Sequence, residues 1–362
     1  MKKVTIKDIA RISGVSRGTV DRVINGRGNV AKDVERKILK IANDLGYEKN
    51  LMASTLASNK TYKIAIVMPD PTSDVFWAQP REGMVDALEL VRHYGIIVDY
   101  FDFNLFNKDE FCMQMENAIK SRPDAILTAP TFTYESLEYL EQAALLNIPF
   151  ITINTEIVHS GILCYVGQNS FNSGYLAGRL FHLRLKPHDE IITFNLGHNI
   201  RNAQHYSDKI DGLKDYFQKN GMDVSCLHWY EFDQFMDEEK LKEFWLSIQE
   251  KHPNMKGIFF TNSRAYRIVE LMTEEDIKKY DIVGFDMIAP NIKLLKNDKI
   301  DFIINQNPIQ QGYMGIMNFV NHIILKKEVK KTQYLPLDII LKENVDFYLE
   351  NYTNSYQMVK KA

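Results

Sequence analysis

VTIKDIARISGVSRGTVDRVINGRG, Val4 to Gly28, decides the first part of this fold, because nearly every residue in it has a task in two short helices and the turn between them. Thr5 is placed to cap a helix beginning at Ile6, and Asp8, three residues on, closes a capping box. Ile6, Ile9 and Ala10 recur at i, i+3 and i+4 and give that helix one apolar face. Gly14 supplies the tight turn and Val15 anchors it. Ser16 then caps a second helix, Arg17 to Ile24, with Thr19 in its first turn and Val20, Val23 and Ile24 directed inward. Asn25-Gly26 ends it. Two short helices joined by a Gly-containing turn form a helix-turn-helix, which lays its second helix in the major groove of DNA. The candidate DNA contacts are therefore Thr5, Ser16, Arg17, Gly18, Thr19, Arg22 and Asn25. Arg17 is positioned to donate to guanine O6 and N7, and Arg22 to grip phosphate or brace the helix.

Charge agrees with that reading. Residues 1 to 61 hold thirteen Lys and Arg against six Asp and Glu, a net of +7, which leaves −10 for the remainder of a chain whose total is −3. A basic end on an acidic body points to a polyanionic partner at that end alone. The 362 residues suggest two or three structural units.

The headpiece resembles that of the lactose-repressor (LacI/GalR) family of bacterial transcription factors, and the likeness continues beyond it. A third helix is expected from about Lys32 to Leu45, with Val34, Ile38, Ile41, Ala42 and Leu45 at helical spacing and Gly46-Tyr47 as the stop. NLMASTLASN, Asn50 to Asn59, then resembles the family's hinge helix, which adds Asn50, Ala53 and Leu56 to the DNA contacts. Small Ala53 and Ala57 would let two such helices approach across a dimer axis, where Leu56 could wedge between base steps from the minor groove. Two departures mark this headpiece. Asp21 stands where the family usually has Ser, so its carboxylate must point aside or pair with Arg17 or Arg22. Ala31 replaces the usual capping Ser of the third helix, a loss of about 1 kcal/mol.

From Lys63 onward short apolar runs alternate with amphipathic helices. Strands are expected at Ile64–Met68, Ile96–Phe101, Ala125–Thr128, Phe150–Ile153, Leu163–Val166, Ile191–Phe194, Val224–Tyr230, Gly257–Phe260, Ile282–Val283 and Phe302–Ile304. Helical patterns separate most of them, among them Glu82–His93, Ile210–Asn220 and Gly312–Leu325. That alternation means parallel, doubly wound sheets, and about ten strands are more than one such sheet takes. The expected fold class is a small all-α helix-turn-helix headpiece plus an α/β periplasmic-binding-protein-like core of two doubly wound parallel-sheet subdomains around a cleft. The expected domains are the headpiece (1–48), a hinge helix and linker (49–61), and an effector-binding and dimerisation domain (62–362).

Ligands of open α/β sheets bind beyond the carboxyl ends of the strands. After the first strand, PDPTSDVFWAQPREGM places Phe76 and Trp77 in a strand-to-helix loop, where aromatic rings could cover the C–H face of a sugar. The segment resembles the Asn-Pro-Phe-Phe/Trp stretch of periplasmic sugar-binding proteins. Asn154, Gln168, Asn169, Asn262, Asp286 and Gln306 follow other strands, and the same likeness makes them hydrogen-bonding partners of ligand hydroxyls; Gln168 and Asn169 could equally be turn or cap residues. VGFD, followed about twenty residues later by INQ, is the family's most specific pattern in the body. Asn154 stands where the family commonly has Asp, and its usual Arg near Ser207 is missing. Arg201 in GHNIRNAQ could supply a cation from a shifted position.

Cys112, Cys164 and Cys226 have no CxxC spacing and read as reduced thiols. No signal-peptide core or membrane-length apolar run is visible, which fits a cytoplasmic chain. There is no GxSxG, HExxH or P-loop and no metal spacing among the nine histidines. Asp70, Asp74 and Asp286 could form a carboxylate cluster, but a regulator gains nothing by destroying its signal. No cofactor and no catalysis are expected. The expected function is a ligand-responsive repressor that binds a pseudo-palindromic operator as a dimer and senses a sugar or sugar derivative; the alternatives are a purine or other metabolite in the same cleft, or an enzyme.

Overall fold

The structure, a computed structural model, describes residues 4–24, 26, 28–47, 60–186, 188–197 and 204–350. Asn25, Asn50, Ala53, Leu56 and Arg201 lie outside the described residues. The chain forms two compact units, Met1–Lys60 and Thr61–Ala362.

In the first unit, α1 (Ile6–Ser13), α2 (Arg17–Ile24) and α3 (Lys32–Asp44) share a core of Ile9, Ala10, Val20, Val23, Ile38 and Ala42. The expected capping box is present: Asp8 N–H donates to Thr5 Oγ1 at 3.3 Å, and Thr5 N–H donates to Asp8 Oδ2 at 3.0 Å. Gly14 ends α1 with φ at +72°, a left-handed turn that glycine adopts without strain. Ser16 caps α2, accepting the Thr19 N–H at 3.2 Å. Ala31 leaves α3 without a side-chain cap. Ala31→Ser is accordingly expected to add about 1 kcal/mol to this helix terminus, seen as roughly fivefold slower amide exchange over 32–35 in native-state hydrogen exchange. Unchanged exchange there would mean the terminus is already satisfied.

The second unit is built from two six-stranded sheets. The first lobe runs β1 (Tyr62–Pro69), α4 (Ala78–Leu90), β2 (Ile96–Phe103), α5 (Lys108–Lys120), β3 (Ala125–Thr128), α6 (Thr133–Leu145), β4 (Phe150–Ile153) and β5 (Ile162–Gly167). The chain then crosses to the second lobe with α7 (Ser170–Arg184), β6 (Glu190–Leu196), α8 (Gln204–Lys219), β7 (Leu227–Phe232), α9 (Glu238–Lys251) and β8 (Met255–Phe260). The short helices α10 (Ala265–Val269) and α11 (Glu274–Lys279), β9 (Asp281–Phe285), α12 (Ala289–Lys296) and β10 (Phe302–Asn305) complete it. Helix α13 (Pro308–Phe319) returns to the first lobe, which gains β11 (Thr332–Tyr334), while β12 (Asp338–Ile340) joins the second. All neighbours pair in parallel except β12, which is antiparallel to β10.

Strands β3 and β4 are buried along their whole length because helices cover both faces of the sheet. That is why they read in sequence as unbroken apolar runs rather than alternating ones. Two expectations are corrected, and two strands went unread. Val224–Cys226 is a 3₁₀ turn, so the strand there begins at Leu227. The expected Gly312–Leu325 helix begins earlier, at Pro308, and its last turn, Val320–Ile324, is wound as a π-helix. Strands β11 and β12, three residues each, were too short to show a period.

Candidate ligand cleft and nucleic-acid interface

On the headpiece, Ser16, Arg17, Gly18 and Arg22 are exposed while Val20 and Val23 on the opposite face are buried. The second helix therefore presents its polar side outward as the sequence requires. The Thr5 and Ser16 hydroxyls are held in their caps, Ser16 Oγ lying 2.9 Å from Thr19 Oγ1. A side chain at Gly18 would meet only Ser16 Oγ at 3.8 Å, so this glycine keeps the surface low rather than relieving a clash. Asp21, the departure from the family pattern, has its carboxylate near Tyr47; burial first and that charge second push the Tyr47 phenol up.

In the second unit the carboxyl ends of both sheets face a cleft that is open to solvent on one side. Two glycine contacts set the helices that flank it. A Cβ on Gly174 in α7 would lie 1.8 Å from the Lys209 carbonyl oxygen of α8, and one on Gly212 would lie 1.9 Å from that of Phe171. Backbone-to-backbone contact at that point fixes Lys209 at the cleft floor. There it is buried, its Nζ donating to the Thr261 carbonyl at 2.6 Å and standing 3.7 Å from the centre of the Phe285 ring.

Asp286 follows β9 in the left-handed region, φ +64°, a conformation that Asp and Asn tolerate better than other side chains. Its Oδ2 accepts from Gln306 Nε2 at 3.1 Å, while its Oδ1 is buried with no hydrogen-bond partner among the described residues. Gln306 is the hub of the floor. Its Oε1 accepts from Asn154 Nδ2 at 3.1 Å and from Gln168 Nε2 at 2.9 Å, so that residues following β4, β5, β9 and β10 form one network. Gln168 Oε1 is likewise buried and unpartnered among the described residues. Burial pushes the Asp286 carboxyl up, and nearby Lys209 opposes it; burial pushes Lys209 down, and Asp286 opposes that. His205 on the wall is pushed down to about 3 by burial and then by Lys209, so its ring is neutral.

At the cleft edge, Arg264 from the second lobe pairs with Asp74 from the first, both almost fully buried. Arg264 also donates to the Leu196 carbonyl at 2.7 Å and packs against the rings of both Phe106 and Phe235, 5.2 and 5.0 Å from their centres, which are themselves 5.5 Å apart. Those rings come one from each lobe, so this clasp joins the two.

The sequence-derived site residues divide. Phe76, Trp77, Asn154, Gln168, Asn262, Asp286 and Gln306 all line the cleft. Phe76 and Trp77 are also packed in the first lobe's core, edge to face at 5.0 Å, so they are wall and core together. Asn262 turns its amide inward, donating to Asn195 Oδ1 at 2.7 Å and to the Leu196 carbonyl at 3.1 Å, which shapes the loop carrying Arg264. Asn169 accepts the Asn172 N–H at 2.9 Å and caps α7, the turn-and-cap alternative. Asp70 is outside the cleft lining and caps its own turn at Thr72 N–H, 2.8 Å away, so no three-carboxylate cluster forms. Among the described residues the cations of the cleft are Lys209 and Arg264, which sequence reasoning missed: a Lys on an amphipathic helix reads as solvated, and only the α7–α8 contact reveals it as buried.

Residues 5–50 match the lacI family of bacterial regulatory proteins, and residues 64–328 match the periplasmic binding protein domain. A curated relative, catabolite control protein A of Priestia megaterium, is 34% identical over 141 residues, 39% of this chain. The match spans only about two fifths of that relative's own length (41%). A solved structure of a candidate LacI transcriptional regulator from Bacteroides fragilis superposes with a TM-score of 0.73 at 25% identity, over 80% of this chain and all of that one. GanP, a glucose-galactose binding protein from Geobacillus stearothermophilus, shares the fold with a TM-score of 0.69 at 21% identity, over 79% of this chain and 99% of its own. No helix among the described residues is long and apolar enough to cross a membrane.

Proposed function

The chain belongs to the lacI family of bacterial regulatory proteins and carries a periplasmic binding protein domain, and from that premise we propose that it is a ligand-responsive DNA-binding repressor that senses a neutral, polyhydroxylated molecule, a sugar or sugar derivative, in its cleft. The observation that carries the ligand class is a pair of buried acceptors without a partner among the described residues, Asp286 Oδ1 and Gln168 Oε1. A buried acceptor left unmade costs about 1–3 kcal/mol, so a ligand whose hydroxyls donate to both recovers that cost. Among the described residues the charge in the cleft is balanced: Arg264 is paired with Asp74, Lys209 faces Asp286, and His205 is neutral. A phosphate or carboxylate would enter without a free cation to receive it among the described residues. Phe76 and Trp77 supply the apolar wall for a ring's C–H face.

In this reading two headpieces of a homodimer grip a pseudo-palindromic operator, since dimer symmetry is mirrored in half-site symmetry. Ligand closes or opens the two lobes and thereby resets the spacing of the hinge segments that carry Asn50, Ala53 and Leu56, a population shift of a two-state element.

A thermal-shift screen of the full chain against aldoses, polyols, sugar acids, sugar phosphates and purines tests the ligand class. The expected result is a rise in Tm with a neutral sugar or polyol; a rise with phosphates or purines alone would overturn it. For the DNA end, Arg17→Ala is expected to weaken operator binding by about 10- to 100-fold and relax selectivity at one base pair. Equal weakening on operator and random DNA would reduce Arg17 to a phosphate contact.

A further inference from the structure

At the opposite end of the second lobe's sheet from the cleft, three potential metal ligands converge. Among the described residues, one cluster of His, Cys, Asp and Glu side chains brings ligand atoms together: Glu190, His228 and His252, all within 4.8 Å of one another. The fold assembles it from three elements. Glu190 opens β6, His228 is the second residue of the edge strand β7, and His252 closes α9. In register, His228 lies opposite Ile192 and Tyr230 opposite Phe194, so Glu190, His228 and Tyr230 share the sheet face that α9 covers. Period-2 alternation makes this unavoidable once the register is set.

The ring orientations suit a cation better than they suit one another. His252 is buried, with Nδ1 3.0 Å from Glu190 Oε2 and Nε2 2.7 Å from the Tyr230 hydroxyl. A metal-binding imidazole commonly has its second nitrogen held by an oxygen in this way, which fixes the tautomer and the ring plane. His228 Nε2 is buried and has no hydrogen-bond partner among the described residues, stopping 3.9 Å from Glu190 Oε1. The two imidazoles lean together with centres 4.3 Å apart. Ligands of a tetrahedral zinc stand roughly 3.3 Å apart, given Zn–N and Zn–O lengths of about 2.0–2.1 Å. Closing the present spacing to that value requires only small side-chain rotations. The nearby Cys226 thiol is directed to the Asp223 carbonyl at 2.9 Å, which leaves the fourth position to water.

We propose that Glu190, His228 and His252 form a zinc site that pins the edge strand β7 to β6 and to the end of α9. The site is separate from the cleft. Glu190 and Leu196 are the two ends of β6, so it lies about 20 Å away at 3.3 Å per residue. Two imidazoles and a carboxylate select a borderline cation such as zinc over magnesium or calcium, which prefer all-oxygen shells. Because the ligands come together only in the folded lobe, bound zinc stabilises it by mass action.

The test is titration of the full chain, freed of metal by chelation, with zinc chloride in competition with a chromophoric chelator. One zinc per chain with submicromolar affinity is expected, together with a higher Tm. His228→Ala and Glu190→Gln are each expected to weaken binding at least 50-fold, whereas His93→Ala, which alters an exposed histidine elsewhere, leaves it unchanged. Circular dichroism of each metal-free variant confirms that the lobe is folded, and X-ray absorption of the zinc-loaded chain is expected to count two imidazoles. Saturation no tighter than about 10 μM, or unchanged zinc affinity in His228→Ala and Glu190→Gln, overturns the proposal.

Discussion

Asp286→Asn is expected to weaken binding of the cleft ligand by about 100- to 1000-fold while leaving the body folded. Hydrogen bonds to a charged acceptor are worth about 1.5–3 kcal/mol each, and Asp286 offers the ligand an oxygen that has no partner among the described residues. An Asn keeps the volume and tolerates the φ of +64°. It also turns one acceptor into a donor, which a ligand hydroxyl can meet only by giving up its role on the other partner. The change in folding stability is a balance, because the mutation removes a carboxylate that burial disfavours but also the charge that buried Lys209 faces. Calorimetric titration with the sugar found by thermal shift, beside urea unfolding of the apo protein, separates the two effects. Undiminished affinity in a folded Asp286→Asn protein would place the ligand elsewhere.

The same residue sets a pH dependence whose sign can be worked out. The Asp286 carboxyl lies above its ordinary value in the folded chain, so the folded state holds a proton the unfolded chain has already lost. Stability therefore falls as pH rises from the ordinary carboxylate range toward the folded value, and the penalty is full above it. Lys209 lies below its ordinary value, so its penalty is full in acid and fades as pH rises through the folded value toward the unfolded one. Together they place the apo cleft's weakest stability between the two ranges. Asp286→Asn should remove the acid-side fall in an unfolding series across pH; an unaltered series would mean the carboxyl is not held up.

Gly312→Ala is the second large effect expected, this time on folding. A Cβ at Gly312 in α13 would lie 1.9 Å from the Pro80 carbonyl oxygen of α4 and 2.8 Å from its carbon, and the reciprocal Gly83 is 1.8 Å from the Ile309 carbonyl. These are backbone atoms, so no side-chain rotation can relieve the overlap and the helices must separate. That separation would draw Ile316 and Phe319 out of the first lobe's core. Overpacking of this kind costs about 3 kcal/mol or more, against about 1 kcal/mol gained from the better helix propensity of Ala. A net loss of roughly 2 kcal/mol or more in urea unfolding is expected. Wild-type stability would show that the helices are not in backbone contact.

Local chemistry settles what the sequence by itself determined. The headpiece helices were legible because their start and stop signals are local: Thr5 with Asp8, Gly14 and Ser16 act on backbone groups three or four residues away. The parallel sheets were legible because strands covered on both faces must be apolar throughout, and the cleft loops because a strand's carboxyl end is where the apolar run stops. So Asp286, Asn154 and Gln306 could be named from their positions after strands.

Tertiary structure alone decided the rest. Whether a polar residue at a strand tip faces the ligand or its own loop depends on partners far off in sequence, which is why Asn262 turns to Asn195 and Asn169 to α7. Lys209 became a buried cation only because Gly174 lets α7 touch its backbone, and Asp74 found Arg264 across 190 residues of chain. Glu190, His228 and His252 carry no shared spacing; the register of β6 with β7 and the end of α9 bring them together. Periodicity records which face of an element is covered, but only packing specifies what covers it.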